Sequence, residues 1–279
     1  MPFRNIGFLF SDMLFTVITI NYNNAEGLRR TIESVVNQTY TDYEYLIIDG
    51  GSTDGSVDVI RKYHEKIAYW VSEKDRGIYH AMNKGMEKVS GDYVVFMNSG
   101  DMFYSNTVLS DVSLLISNED IVIGDVLTSG TGEIMSPPPL RDISMYHLYS
   151  GAIPHQGAFV KSTLQKRHPF DETLKIAADW KFFLQSIIFE NSSVKYIPVT
   201  VALYDTTGIS SQNPKVMREE KERVLAECFP RRVLDDYRFM KESECLTQKI
   251  TPMLRTNYSI DRFVYKLAVL LINIKNKFK

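Results

Sequence analysis

Residues 92–101 read DYVVFMNSGD: four consecutive apolar residues, Val94 to Met97, run into Asn98, Ser99, Gly100 and Asp101. A short apolar run of this kind reads as a buried strand. A carboxylate closing such a strand is costly to desolvate unless something satisfies it. The arrangement recurs upstream, where FTVITIN (15–21) ends on Asn21, YLIID (45–49) on Asp49 and IAYWVSE (67–73) on Glu73. Between these runs lie LRRTIESVVNQ (28–38), SVDVIRKYH (56–64) and IYHAMNKGMEKV (78–89), which read as helices. In the first of them Leu28, Ile32, Val35 and Val36 share one helical face. Strands and helices in alternation, with near-continuous apolar strands, predict an α/β fold around a parallel sheet covered on both faces. Ligands of such sheets bind beyond the carboxyl ends of the strands. Four polar strand endings therefore collect along one edge.

Beyond Asp101 the pattern loosens. DIVIGDV (120–126), HQGAFV (155–160) and VKYIPVTVALYD (194–205) read as strands, SPPPLRD (136–142) as a loop. IAADWKFFLQSII (176–188) and PKVMREEKERVLAECF (214–229) read as helices. The one boundary suggested lies near 212–214. It divides an N-terminal extension (1–14) and an α/β domain (15–212) from a helical C-terminal region (213–279).

Composition narrows the function. In 279 residues, 44% of them hydrophobic, 32 basic and 34 acidic side chains leave a formal charge of −2. That balance removes the electrostatic reason to expect a nucleic-acid partner. Cys228 and Cys245 have no metal-ligand spacing and suggest no disulfide framework, so a reducing, cytoplasmic setting is expected. No run of 18 apolar residues predicts a membrane span. The opening MPFRNIGFLFSDMLF lacks the apolar core and cleavage site of a signal peptide, and residues 1–14 read as a loose extension.

Several segments carry candidate chemistry. DGGSTDGS (49–56) sets Asp49 and Asp54 around glycines and hydroxyls. Asp54 suits a helix cap, whereas Asp49 needs a donor that a nucleobase edge or ribose hydroxyls would supply. Gly51 would let a planar group approach the backbone. TINYNN (19–24) offers Asn21, Tyr22 and Asn23, as a helix-start loop or as amides for a ligand. In KDRGIYHAMNKG (74–85), Arg76 is a fork for a diphosphate or base, Asn83 a polar neighbour and His80 a surface histidine. NSGD (98–101) is either a β-turn or the one protein carboxylate that a metal–diphosphate site needs. Asp179, between Ala178 and Trp180, is either a helix-start residue or a base whose pKa burial would raise. His155 and Gln156 are ambiguous in the same way.

In this order the segments resemble the family 2 glycosyltransferases of the GT-A fold. TINYNN, VVNQTY (35–40), YEYLIIDGGSTDGS, EKDRGIYHAMNKG, SGDYVVFMNSGD, HQGAFV and FDETLKIAADWKFFL carry the resemblance over about residues 15–211. It is strongest to transferases that build bacterial exopolysaccharide and O-antigen, of the colanic-acid type. The resemblance implies a Rossmann-like, mainly parallel sheet flanked by helices, a nucleoside-diphosphate sugar donor, a glycan or lipid-linked acceptor, and Mg²⁺ or Mn²⁺ as cofactor. It implies nucleotide contacts at Asn21, Tyr22, Asn23, Asp49 and Gly51, with Arg76 and Asn83 near the base or diphosphate. It further implies sugar or ribose contacts at Asn98 and Ser99, metal binding at Asp101, and Asp179 as the base of an inverting displacement. This chain departs from the pattern at Asn98 and Gly100, where relatives carry more acids, at His80 for Asp, and at Ala178 for Glu.

Two other functions share the fold: a non-catalytic sugar-nucleotide binder, which Asp179 disfavours, and a sugar nucleotidyltransferase. The latter wants a Gly-rich basic phosphate loop after the first strand, and TINYNNAEG is not one. Finally, residues 260–279 combine helical apolar spacing with Arg262, Lys266, Lys275, Lys277 and Lys279. They read either as a helix docked on the domain or as an in-plane helix on an anionic membrane surface. Vesicle flotation with and without residues 258–279 separates the two.

Overall fold

Seven residues of the first strand, β1 (Phe15–Asn21), are buried without interruption. That is the burial expected at the centre of a parallel sheet. The computed structural model describes residues 15–135 and 143–255. The expected extension (1–14) and the basic apolar tail (260–279) lie outside the described residues.

Strand β2 (Tyr43–Asp49) runs parallel to β1, with Phe15 opposite Tyr43 and Asn21 opposite Asp49. β3 (Tyr69–Ser72) continues beyond β2, and β4 (Tyr93–Phe96) flanks β1 on its other side, both parallel. The helices between them are α1 (Ala25–Val36), α2 (Ser56–Lys62) and α3 (Ile78–Met86). Gly85 of α3 sits so near the sheet that a Cβ there would lie 2.9 Å from Ile18 Cγ2. Its lack of a side chain is what lets α3 pack this closely.

The second half extends the sheet with mixed polarity. It contains β5 (Met102–Phe103), α4 (Val108–Ser113), β6 (Ile121–Thr128), β7 (Ile134–Met135) and α5 (Met145–Ser150). β8 (Ala158–Lys161), α6 (Ser162–Arg167), α7 (Ala178–Phe183) and β9 (Val194–Tyr204) follow. The strand order is β3-β2-β1-β4-β8-β6-β9-β5, with β7 paired to β6. β8 is antiparallel to β4 and to β6, and β9 is parallel to β6. This alternation brings the start of β8 and the end of β9 to the edge where β1, β2 and β4 end.

Two element boundaries differ from expectation. The strand expected over 155–160 starts only at Ala158, because His155–Gly157 form a 3₁₀ turn. Pro154 enters that turn and its carbonyl accepts the Gly157 N–H at 3.1 Å. The helix expected over 176–188 starts at Ala178 and widens into a π-type turn over Leu184–Phe189. Within it the Ser186 hydroxyl donates back to the Phe182 carbonyl at 2.8 Å, a contact that loosens α-helical geometry.

α8 (Ile209–Gln212), α9 (Pro214–Cys228) and α10 (Arg231–Arg255) complete the described chain. It falls into two compact units, one through Val224 and the other from Leu225. α9 up to Val224 therefore belongs with the unit that holds the sheet. Among the described residues no helix is long and apolar enough to cross a membrane.

Candidate active site

The ends of β1 and β2 are tied together by Asp49, which is 0% exposed. Its carboxylate accepts Asn21 Nδ2 at 2.7 Å, the Ser52 hydroxyl at 2.6 Å, the Ser72 hydroxyl at 2.6 Å and the backbone N–H groups of Gly51 and Ser52 at 3.2 and 2.9 Å. Burial opposes the charge, but these hydroxyl and amide donors outweigh it and hold the carboxyl below its ordinary range. The chain itself supplies donors to the Asp49 carboxylate. Asp49 holds the loop 50–53 in shape. Gly51 there has φ +80°, a conformation that side-chain-bearing residues rarely adopt, and its N–H is one of those donors.

Around this anchor the loop after β1 is ordered. Asn23, at φ 48°, accepts the Thr53 N–H through Oδ1 at 2.9 Å, and its own N–H reaches Ser52 Oγ at 2.7 Å. Asn21 Oδ1 is buried without a hydrogen-bond partner among the described residues. Tyr22 is exposed beside Gly50. The N-cap of α2 is Gly55 and not Asp54, which stands one residue earlier and accepts the N–H of Ser56 and of Ala25.

Two candidates are otherwise engaged. Asn83 is consumed by Phe170: its Nδ2 donates to the Phe170 carbonyl and its Oδ1 accepts the Phe170 N–H, both at 2.9 Å. It fastens the segment leading to α7 onto α3, and its Nδ2 also lies 3.1 Å from Glu172 Oε1, the residue that pairs with Arg76. Arg76 pairs with Glu172 at 2.6 Å, but its side chain is 70% exposed. An exposed pair of that kind is weak, so the guanidinium is available to a competing anion.

The segment after β4 meets three other elements. Asp101 is 4% exposed; its Oδ2 accepts Gln156 Nε2 at 3.0 Å and its Oδ1 accepts the Asp205 N–H, just past β9, at 2.8 Å. Burial pushes its pKa up to about 6, partly offset by the Asp205 N–H, the nearby His155 and the Gln156 amide. Ser99 exchanges contacts with Asn24, accepting its amide at 3.3 Å. Asn98 Nδ2 lies 3.1 Å from His155 Nε2, and its Oδ1 is buried without a partner among the described residues.

Asp179, on the first turn of α7, completes the edge. Its Oδ2 is 3.0 Å from His155 Nδ1; its Oδ1 is 3.0 Å from the Tyr79 hydroxyl and accepts the Trp180 N–H at 2.8 Å. Burial first, and the charge of Asp179 next, hold the Tyr79 phenol well above its ordinary range, so it stays neutral. The turn before α7 is capped from α9. The Glu220 carboxylate accepts the N–H groups of Lys175, Ile176 and Ala177 at 2.7, 2.9 and 3.1 Å. Lys221 lies 4.6 Å over the Trp180 ring.

Neighbouring residues of one turn thus join two candidate acids: Gln156 bonds Asp101 and His155 bonds Asp179. Neither role is visible in the local sequence, although the dipeptide stands in a segment singled out there. Asp205, Tyr79 and Glu220 leave no local signature either. They act across separations of about a hundred residues or by backbone contact.

The residues fit a divalent cation only in part. Among the described residues no group of three or more His, Cys, Asp or Glu could hold an ion. A buried acid with an elevated pKa does suit one ligand of a cation, and a carboxylate has lone pairs left after two hydrogen bonds. Substrate phosphates and water ordinarily complete such sites.

Comparison with known proteins agrees with this architecture. S. aureus TarS in complex with UDP-GlcNAc superposes at TM-score 0.64 and 18% identity, covering 77% of this chain and 66% of that one. The mannosyltransferase of Pyrobaculum calidifontis, in complex with GDP-Man and Mn²⁺, gives TM-score 0.55 at 21% identity, over 73% of this chain and 60% of that one. The fold is therefore the GT-A glycosyltransferase fold. The family described as Glycosyl transferase family 2 matches residues 16–181. An uncharacterized glycosyltransferase of Mycobacterium tuberculosis is 34% identical over 206 residues, 70% of this chain and 76% of that one. A PGL/p-HBAD biosynthesis glycosyltransferase of Mycobacterium bovis is 27% identical over 202 residues, 70% and 78% of the two chains. The chain belongs to glycosyl transferase family 2, which sets aside the nucleotidyltransferase reading.

Proposed function

We propose that this protein is an inverting glycosyltransferase that moves a sugar from a nucleoside diphosphate to a glycan or lipid-linked acceptor in bacterial surface polysaccharide or glycolipid synthesis. The observation that carries this reading is the His155–Gln156 turn, which holds Asp101 and Asp179 at one sheet edge. Asp179 serves as general base, removing the proton of the acceptor hydroxyl as that oxygen attacks C1 of the donor sugar. The bond from C1 to the diphosphate oxygen breaks on the opposite face, and no covalent enzyme intermediate forms. Asn21, Tyr22, Asn23, Gly51, Asn98 and Ser99 line the donor side. There the unpartnered oxygens Asn21 Oδ1 and Asn98 Oδ1 are acceptors for ribose or sugar hydroxyls. Asp49 contributes by keeping the 50–53 loop in place. Arg76 leaves Glu172 to meet the diphosphate.

Asp101 would hold Mg²⁺ or Mn²⁺ together with the donor phosphates. When bound, the ion supplies neutralisation of charge growing on the leaving diphosphate. The basic, apolar pattern of residues 260–279 supports an acceptor carried on a lipid and reached from the inner membrane surface. NMR of the first product formed tests the stereochemistry. An anomeric configuration opposite to that of the donor is expected; a retained configuration removes direct displacement by the acceptor oxygen with Asp179 as base.

A further inference from the structure

His155 touches both halves of the site, and the mechanism above gives its ring no chemical role. Its ring stands between two side chains, with Nδ1 3.0 Å from Asp179 Oδ2 and Nε2 3.1 Å from Asn98 Nδ2. The side chains of His155 and Asp179 are 18% and 17% exposed, so the contact is largely sheltered. An amide nitrogen only donates, so with Asn98 in this orientation Nε2 is the acceptor and the ring proton sits on Nδ1, facing the carboxylate. Asn98 cannot turn over without placing its oxygen against that lone pair. Its Oδ1, without a partner among the described residues, is thereby left for a ligand.

We propose that His155 is a positioning residue that sets two groups at once. It clamps the Asp179 carboxylate through Nδ1–H, and through Nε2 it fixes Asn98 so that its oxygen, and not its nitrogen, meets a donor hydroxyl. The clamp has a counterpart on the other carboxylate oxygen, which accepts the Trp180 N–H at 2.8 Å; the neutral Tyr79 hydroxyl lies 3.0 Å from it and shares its one proton with the Ile176 carbonyl at 2.5 Å. Asp179 is held from the 155–157 turn and from its own helix, and Oδ2, with one partner, keeps a lone pair to receive a proton. The site thereby selects a ligand that presents a hydroxyl donor to Asn98. A sugar lacking that hydroxyl leaves Oδ1 buried and unpaired. This inference rests on Asp179 being the base.

The test exploits two near-isosteric changes. In His155→Asn the amide nitrogen stands where Nδ1 was and can still donate to Asp179. In His155→Gln the amide reaches the Nε2 position and can still accept from Asn98, while the clamp on Asp179 is gone. Nucleoside-diphosphate release from UDP-GlcNAc and from GDP-mannose with Mn²⁺, with water attacking C1 in place of the acceptor and giving its proton to Asp179, is measured for both variants, for Asp179→Asn and for the natural chain. His155→Gln is expected to lose about 10- to 100-fold in kcat at nearly unchanged donor KM, the scale of a lost hydrogen bond to a charged group. His155→Asn is expected to recover most of that kcat while its donor KM rises severalfold.

Equal kcat losses in the two variants, or full kcat in His155→Gln, overturn the proposal. Full turnover in Asp179→Asn instead removes the base assignment, which is a separate result. A second readout needs no donor. With only five histidines in the chain, long-range ¹H–¹⁵N correlation spectra at pH 8 identify the His155 ring by its loss in His155→Asn. The Nδ1–H tautomer supports the clamp; an Nε2–H ring overturns it.

Discussion

Asp179→Asn is expected to bind a sugar nucleotide nearly as the natural chain does and to turn it over about a hundredfold more slowly or worse, the scale of a lost general base. The amide keeps the size of the carboxylate and can still accept the Trp180 N–H through its oxygen. What it loses is the lone pair basic enough to take the acceptor proton. The other amide atom, an N–H₂ group, meets a ring N–H at His155, so local rearrangement accompanies the chemical change. A thermal melt and a calorimetric donor titration keep the two apart. Unchanged melting and binding with collapsed turnover assign the loss to chemistry. Full activity would mean that another group takes the proton.

The second large effect concerns Asp101, through both ligand binding and pH. Its carboxyl is raised from 3.8 to about 6 in the folded protein, chiefly by burial. Between those values the native state keeps a proton that the unfolded chain releases. The stability this residue contributes is therefore fully present below about pH 4 and is lost as pH rises through about 6. The full loss is about 3 kcal/mol on the scale of 1.36 kcal/mol per pKa unit.

Asp101→Asn abolishes that dependence. Without added cation the variant should gain on the natural chain between pH 4.5 and pH 7.5 in urea unfolding. With Mn²⁺ and a sugar nucleotide at pH 7.5 the order should reverse, because only the carboxylate compensates the ion. Calorimetry is expected to find donor binding to the variant indifferent to Mn²⁺. Donor affinity that still rises with Mn²⁺ in the variant would take Asp101 out of the cation site.

The parts of this architecture legible in the sequence are those governed by local periodicity. The seven-residue buried strand β1 and its parallel neighbours follow from apolar runs separated by amphipathic helices. Their polar endings fall on one edge because parallel strands share a direction. The antiparallel half is less legible. Nothing in HQGAFV shows that Pro154 would turn the chain before the strand begins, and the turn is what matters for His155 and Gln156. Nothing near residue 179 shows that Glu220 caps the turn ahead of it.

The roles of polar residues are less legible in the sequence than those of apolar ones. Asn83 and Asp49 look as ligand-seeking in sequence as Asn98 does. The backbone of Phe170 consumes Asn83, and Ser52, Ser72 and Asn21 saturate Asp49. Asn98 keeps an unpartnered buried oxygen. Only tertiary contacts decide which polar groups are spent on structure and which are left over for a substrate. The pairing of Arg76 with Glu172, 96 positions away, is another contact that the sequence does not reveal.

One reaction is expected to be served from both residues of the 155–156 turn. A crystal structure of the full chain with UDP-GlcNAc or GDP-mannose and Mn²⁺ tests this most directly. The diphosphate and the ion are expected at Asp101, with the anomeric carbon turned toward Asp179. A diphosphate bound away from Asp101, or a sugar whose C1 faces away from Asp179, would contradict it.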